Sequence, residues 1–152
     1  MGSDDSHHLR LAVDSDAKAV ATLWLRSRRA SIPAIPAPVH SDQDVHQWVA
    51  EILIPNGETW LLEGDNELVG MMVLREGWIE QLYVDPDHFG VGAGTELLGH
   101  AKRLFPGGLD LWTFQSNFRA RHFYECRGFV SVGETSGDNE EGAPDIRLHW
   151  DG

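Results

Sequence analysis

The sequence predicts a mixed α/β (α+β) fold: one mostly antiparallel central sheet of about seven strands, flanked by about four helices. Three observations predict it. Strand-like runs follow one another directly in the middle of the chain, which favours antiparallel pairing. Amphipathic helices then separate the later strands, and each strand–helix–strand crossing makes a parallel pair available. The length, 152 residues, suits one domain with its own core. That domain is expected over residues 9–152, with residues 1–8, including His7-His8, set aside as a disordered N-terminal segment or tag.

The elements follow in order. Leu9 to Val13 reads as an opening strand, after which Asp14 or Ser15 caps a helix. Ala17, Val20, Ala21, Trp24 and Leu25 fall on one face of that helix. Pro33, Pro36 and Pro38 impose an extended loop. Ser41 or Asp42 caps a second helix with Val45, Trp48, Val49 and Ile52 inward, and Pro55-Asn56-Gly57 ends it. Three strands come next, from Thr59 to Glu63, Leu68 to Arg75 and Trp78 to Val84, joined by turns at Asp65-Asn66 and Glu76-Gly77. A glycine-rich loop leads into a helix from about Thr95 to Phe105. Leu109 to Phe114 is a strand, Asn117 to Arg127 a helix, and Phe129 to Gly133 and Ile146 to Trp150 the closing strands. The Val84-to-Leu109 and Phe114-to-Phe129 crossings are where parallel pairs are expected.

Composition narrows the function. The single cysteine, Cys126, excludes an intramolecular disulfide and zinc-finger spacing, so no metal is expected and a cytoplasmic location is the default. No apolar run approaches the roughly 18–20 residues of a membrane span, so no membrane partner is expected. The N-terminus lacks the apolar stretch of a secretory signal. A net charge of −12 argues against nucleic acid as a partner and favours cationic small molecules. An acidic surface that only aids solubility is the bland alternative. Five of the twelve basic residues, Lys102, Arg103, Arg119, Arg121 and Arg127, fall between residues 99 and 130, where an anionic ligand would be sought.

The sharpest local signal is Phe89-Gly90-Val91-Gly92-Ala93-Gly94-Thr95, between a strand and a helix. Alternate glycines permit positive φ and close approach of a ligand. Unpaired amides at the helix start, with the helix dipole, suit a phosphate, and Thr95 adds a hydroxyl. The mononucleotide P-loop pattern fails, because Thr95 stands where its second glycine belongs and no lysine follows. The dinucleotide pattern fits at Gly90-x-Gly92 but not at its third glycine, and Asp110 sits inside a strand rather than at its end. A turn that needs glycines and binds nothing is the remaining alternative.

The stretch from Leu82 through Asp85-Pro86 and the glycine loop to Leu98 resembles the acetyl-CoA motif of the GCN5-related N-acetyltransferase (GNAT) family, Gln/Arg-x-x-Gly-x-Gly/Ala before a helix. A second block, Asn117-Phe118-Arg119-Ala120-Arg121-His122-Phe123-Tyr124 to Gly128-Phe129, resembles the family's Asn-x-x-Ala-x-x-Phe-Tyr-x-x-x-Gly-Phe. The element order resembles the family over residues 9–150. One position departs: Phe89 stands where the family has Gln or Arg, which implies weaker cofactor affinity.

The resemblance implies acetyl-CoA (coenzyme A) as cofactor and acetyl transfer to a primary amine on a small molecule or peptide by direct attack, with a homodimer as the family's usual assembly. It implies that the Leu82, Tyr83 and Val84 strand pairs with the pantetheine arm, as an added strand would, with the Val84 amide facing the thioester oxygen. Val91, Gly92, Gly94 and Thr95 would hold the diphosphate, with Phe89, Gly90 and Ala93 also among the cofactor-binding positions; Asn117 would contact the pantetheine or its neighbourhood, and Tyr124 would stand by the sulfur. Asn117 also reads as a helix N-cap, and Tyr124 beside Phe123 as core. A non-catalytic acyl-CoA sensor is the alternative function.

Acid–base needs follow from ordinary pKa values. Deprotonating an alkyl amine at pH 7 costs about 4.6 kcal/mol, and an α-amine about 1.4 kcal/mol. Proton transfer from tyrosine to a thiolate is uphill by about 2 kcal/mol, so Tyr124 is expected to hydrogen-bond the leaving sulfur. Strand alternation places Trp78, Glu80, Leu82 and Val84 on one face, and Glu80 is the candidate base, with a solvated or ion-paired carboxylate as its alternative. His40 is a second candidate. Trp112 replaces a glutamate that other family members carry. Trp48, Trp60, Trp112 and the acidic loop Asp138 to Asp145 are expected to shape the acceptor site. Cys126 invites a nucleophile reading, but His122 is placed on another face.

Overall fold

The computed structural model describes residues 7–56, 58–90, 92–137 and 139–152. The chain forms a seven-stranded sheet in the order β1-β2-β3-β4-β5-β7-β6. Its strands are β1 His8–Leu11, β2 Glu58–Gly64, β3 Glu67–Arg75, β4 Trp78–Val84, β5 Leu109–Phe114, β6 Val130–Glu134 and β7 Asp145–Trp150. Every neighbouring pair is antiparallel except β4–β5. The first expected crossing, Val84 to Leu109, gives that parallel pair. The second does not: β7 lies between β5 and β6, so the strand after the last helix goes to the outer edge. The acidic connection before β7 is long enough to bring that strand back into the gap. His8 begins β1 opposite Glu63, and His7 contacts Glu96.

Helices α1 (Ala17–Ala30) and α2 (Asp42–Trp48) cover one face, and α3 (Ala93–Leu104) and α4 (Phe118–Glu125) cover the other. Each face has its own core. Val20, Ala21, Trp24, Val45 and Val49 meet Leu61, Met71 and Val73 on the first. Leu97, Leu98, Ala101 and Phe129 meet Met72, Leu74, Leu109 and Leu148 on the second. β3 is an unbroken apolar run from Leu68 to Leu74, buried on both faces, and period-2 geometry sends Met71 and Val73 to one core and Met72 and Leu74 to the other.

Ser41, rather than Asp42, caps α2, accepting from the Asp44 amide at 3.2 Å. The inward face of that helix differs from the expected one. A π-helical turn over Val49–Leu53 continues α2, and the wider turn rotates the chain. Leu53 and Ile54 are buried in consequence, while Ile52 is exposed.

Candidate active site

The cradle begins where β4 ends. The Asp85 amide donates to the Val69 carbonyl at 2.8 Å, and the Asp85 carboxylate caps the following turn by accepting from the Asp87 amide at 3.1 Å. Arg26 of α1 lies 3.2 Å from the same carboxylate. The loop is thus fixed at its root. Gly90 and Gly92 then take φ of +83° and +85°. A Cβ at either position would meet nothing within 4 Å, so backbone sign, not space, demands glycine there. Gly92 is the N-cap of α3, so the Ala93, Gly94 and Thr95 amides start the helix with no intrahelical partner. Gly94 serves packing instead. A Cβ there would lie 3.3 Å from Phe123 Cζ, so glycine lets α3 approach α4. Thr95 Oγ1 accepts from Arg127 Nη2 at 3.0 Å, which leaves its hydroxyl proton to donate to a ligand. Val91 lies outside the described residues.

Beside the cradle the sheet opens. β4 pairs with β3 along its whole length, up to Gly70 opposite Val84. On its other side it pairs with β5 at Trp78–Asp110 and Ile79–Leu111 only. From Glu80 to Val84 the edge facing β5 has no strand partner among the described residues, in the middle of a seven-stranded sheet. Unpaired backbone donors and acceptors inside a protein call for an occupant. A cleft of about 340 Å³ runs from this edge to the cradle. It is lined by Leu82, Tyr83, Val84, Phe89, Gly90, Gly92, Ala93, Gly94, Thr95, Asn117 and Tyr124, which brings together every described residue expected to bind the cofactor.

Asn117 fills two roles. Its Oδ1 caps α4 by accepting from the Ala120 amide at 3.2 Å, and the residue lines the cleft. Tyr124 is 7% exposed and packs edge-on against Phe123 and Phe129, with ring centroids 5.0 and 5.3 Å away. Burial, and then the neighbouring Tyr83, pushes its phenol well above the usual value. Tyr124 is therefore a neutral donor at any physiological pH. Among the described residues its hydroxyl has no protein partner, and the side chain lines both the cleft and the gap between β4 and β5.

Glu80 corrects the expected alternation. The β3–β4 register shifts so that Val73 faces Gln81 and Leu74 faces Ile79, leaving Glu80 as the extra residue of a bulge. Ile79, Leu82 and Val84 therefore share one core face. Gln81 points to the opposite face, where its Oε1 accepts from Trp24 Nε1 at 3.1 Å. Glu80 is exposed, 3.2 Å from Arg75, yet it lines the small cavity of about 110 Å³ between β4 and β5 that also holds Leu82, Asn117 and Tyr124.

A second cavity, about 400 Å³, lies on the α1–α2 side of the sheet. Trp24, Arg28, His40, Asp44, Trp48, Glu140 and Glu141 line it, and Gln81 connects it to the gap, lining both. His40 pairs with Glu140 across its rim. Arg28 is 5% exposed, lies 4.9 Å over the Trp24 ring and contacts Glu141 at 3.4 Å. Trp24, Arg28 and Gln81 escaped the sequence reading, because a lining assembled from five separate segments leaves no local spacing. Trp60 does not belong here: it packs on the opposite core, its ring 4.2 Å from His100. Trp112 is half exposed beside the gap. Asp138 lies outside the described residues.

Cys126 and His122 also differ from expectation. They stand four residues apart on one face, Sγ 3.4 Å from Nε2. Both are exposed and neither lines the cleft, so location rather than the lack of a base removes Cys126 from the chemistry. Among the described residues no cluster of metal-ligating side chains occurs, and no helix is long and apolar enough to cross a membrane.

The comparisons with known proteins agree with this geometry. The chain is 28% identical over 143 residues to the peptidyl-lysine N-acetyltransferase YiaC of Escherichia coli, covering 93% of this chain and 95% of that protein. It is 28% identical over 133 residues to the peptidyl-lysine N-acetyltransferase YjaB of Salmonella typhimurium, covering 87% and 89%. Its fold matches apo YjaB of Escherichia coli with a TM-score of 0.79 at 23% identity, over 97% of this chain and 99% of that one. It matches the PaiA N-acetyltransferase of Thermoplasma acidophilum, solved with coenzyme A, with a TM-score of 0.74 at 15% identity, over 97% and 99%. Residues 8–129 match the acetyltransferase (GNAT) family. The chain belongs to that family, and acetyl-CoA is its acyl donor.

Proposed function

We propose that this protein acetylates a primary amine presented by a peptide or protein, the lysine ε-amine first among them, in the cytoplasm. The observation that carries the reading is the parting of β4 from β5, with the Tyr124 side chain lining the gap and a cavity on either side. A donor arm entering from the cradle side and an amine entering from the α1–α2 side meet there. The names of the two curated relatives support lysine as acceptor. Carboxylates at Asp44, Glu140 and Glu141 and the faces of Trp24 and Trp48 suit a cationic chain.

Acetyl-CoA supplies an acetyl thioester, whose carbonyl carbon bonds to the amine nitrogen as the carbon–sulfur bond breaks. The chain's own residues do the rest. The β4 edge from Leu82 to Val84 holds the pantetheine arm as an added strand, and the Val84 amide donates to the carbonyl oxygen. The cradle from Phe89 to Thr95, with Asn117, fixes the remaining length of the donor. Glu80 takes the amine proton through a water in the small cavity it shares with Tyr124. Tyr124, kept neutral by burial, donates a hydrogen bond to the departing sulfur without giving up its proton.

An acceptor screen with detection of free thiol tests the proposal. Lysine-containing peptides with blocked N-termini are compared with polyamines, amino sugars and free amino acids. Thiol release that depends on the peptide lysine is the expected result. Release only with small amines would move the acceptor class, and none with any amine would leave a binding module.

A further inference from the structure

Position 89 opens the cradle with Phe where the related motif carries Gln or Arg. The structure returns a cation to that place by another route. Arg119, the second residue of α4, lays its guanidinium over the Phe89 ring, Cζ 4.2 Å from the centroid. The two side chains come from opposite walls of the cofactor cleft, the loop after β4 and the start of α4, and both line it. Their stack therefore lies in the cleft that the diphosphate is proposed to occupy.

Arg127 shows the same construction at the other end of the helix. Its guanidinium lies 4.0 Å from the Phe123 ring centroid. There, however, the donors are engaged: Nη2 with Thr95 Oγ1 at 3.0 Å and Nη1 with the Phe123 carbonyl at 2.9 Å. Arg127 holds the cradle's frame. Arg119 is exposed, and among the described residues its guanidinium makes no hydrogen bond or ion pair. A planar fork held on a ring, with its donors free, suits two oxygens of a phosphate. The need is real in a chain of net charge −12, which repels a polyanionic donor unless cations stand at the binding point.

We infer that Arg119, seated on Phe89, grips the phosphates of acetyl-CoA in place of the side chain missing from position 89. The inference rests on the donor site described above. Phe89 is then a post for the guanidinium rather than a loss of affinity, and the pair reads the phosphates, not the thioester arm.

Titration calorimetry on the full chain tests this, with acetyl-CoA and with S-acetylpantetheine, which lacks every phosphate. Arg119→Ala is expected to raise the Kd of acetyl-CoA about tenfold, as for one charge-assisted hydrogen bond, and to leave S-acetylpantetheine unchanged. Adding Phe89→Arg in that background is expected to restore most of the affinity. An Arg119→Ala protein that binds acetyl-CoA like wild type overturns the inference, as does equal weakening of both ligands. A wild-type protein that binds acetyl-CoA no better than S-acetylpantetheine overturns the donor site itself, and this inference with it.

Discussion

Tyr124 carries a test of its own, because one oxygen atom separates its two roles. The ring packs in the core, and the side chain lines the gap between β4 and β5. Tyr124→Phe keeps the ring, so stability and the Kd for acetyl-CoA are expected to hold while kcat falls about a hundredfold, within the range for a positioned proton-donating group. Unchanged kcat would remove the hydroxyl from the reaction. Gly92→Ala addresses the cradle. With φ at +85° and open space around it, the cost is backbone strain, about 1–2 kcal/mol for a left-handed non-glycine residue. Weaker acetyl-CoA binding with little change in packing is the expected outcome by calorimetry. Both residues were legible in the sequence because each sits in a contiguous motif whose spacing the backbone enforces. Glu80 was legible as a candidate carboxylate on β4 but not in its orientation. The period-2 rule assumes an unbroken ladder, and the bulge between Ile79 and Gln81 has no mark in the sequence.

Elements position these residues, and two of them can be probed separately from the chemistry. β3 presses β4 against α3 at Gly70, where a Cβ would lie 2.9 Å from Leu97 Cδ1 and 3.2 Å from the Tyr83 carbonyl. Gly70→Ala is expected to cost about 1–3 kcal/mol of overpacking, read as a lower urea midpoint at unchanged slope. His100 on α3 probes pH. Its ring packs against Trp60 with a buried Nε2 that has no partner among the described residues, and burial, then the Arg103 charge, lowers its pKa. A histidine depressed in the folded state binds fewer protons there than in the unfolded chain. Its stability is therefore complete above about pH 6.5 and declines as the pH falls below that value. His149 is raised by Asp110 and then Asp151, and acts in the opposite sense. Comparing the thermal midpoints of wild type and His100→Gln from neutral to acid pH isolates the first effect: the acid-side loss should shrink in the variant. At this scale the strand and helix order was readable from apolar periodicity. The π turn in α2 was not, since a one-residue widening leaves the pattern of apolar residues nearly unchanged.

Across the whole molecule, charge and topology divide the labour. The net charge is negative, and Asp44, Glu140 and Glu141 line the cavity proposed for a cationic acceptor, while Arg119 and Arg127 stand at the cradle. Raising ionic strength from roughly 0.01 to 0.1 M shortens the screening length from about 30 to about 10 Å, so KM for a lysine peptide is expected to rise. The cavity proposed for the acceptor was the least legible part, because its walls are distant in sequence and meet only in the folded chain. The donor side was legible because one strand, one loop and one helix start supply most of it in a single run of residues.

Chemical-shift mapping of the amide groups during titration with acetyl-CoA tests the central claim most directly. The largest shifts are expected at Leu82 to Val84, at Gly90 and Gly92 to Thr95, and at Asn117. Shifts confined to other strands, or a β4 edge untouched while the cofactor binds, would contradict it.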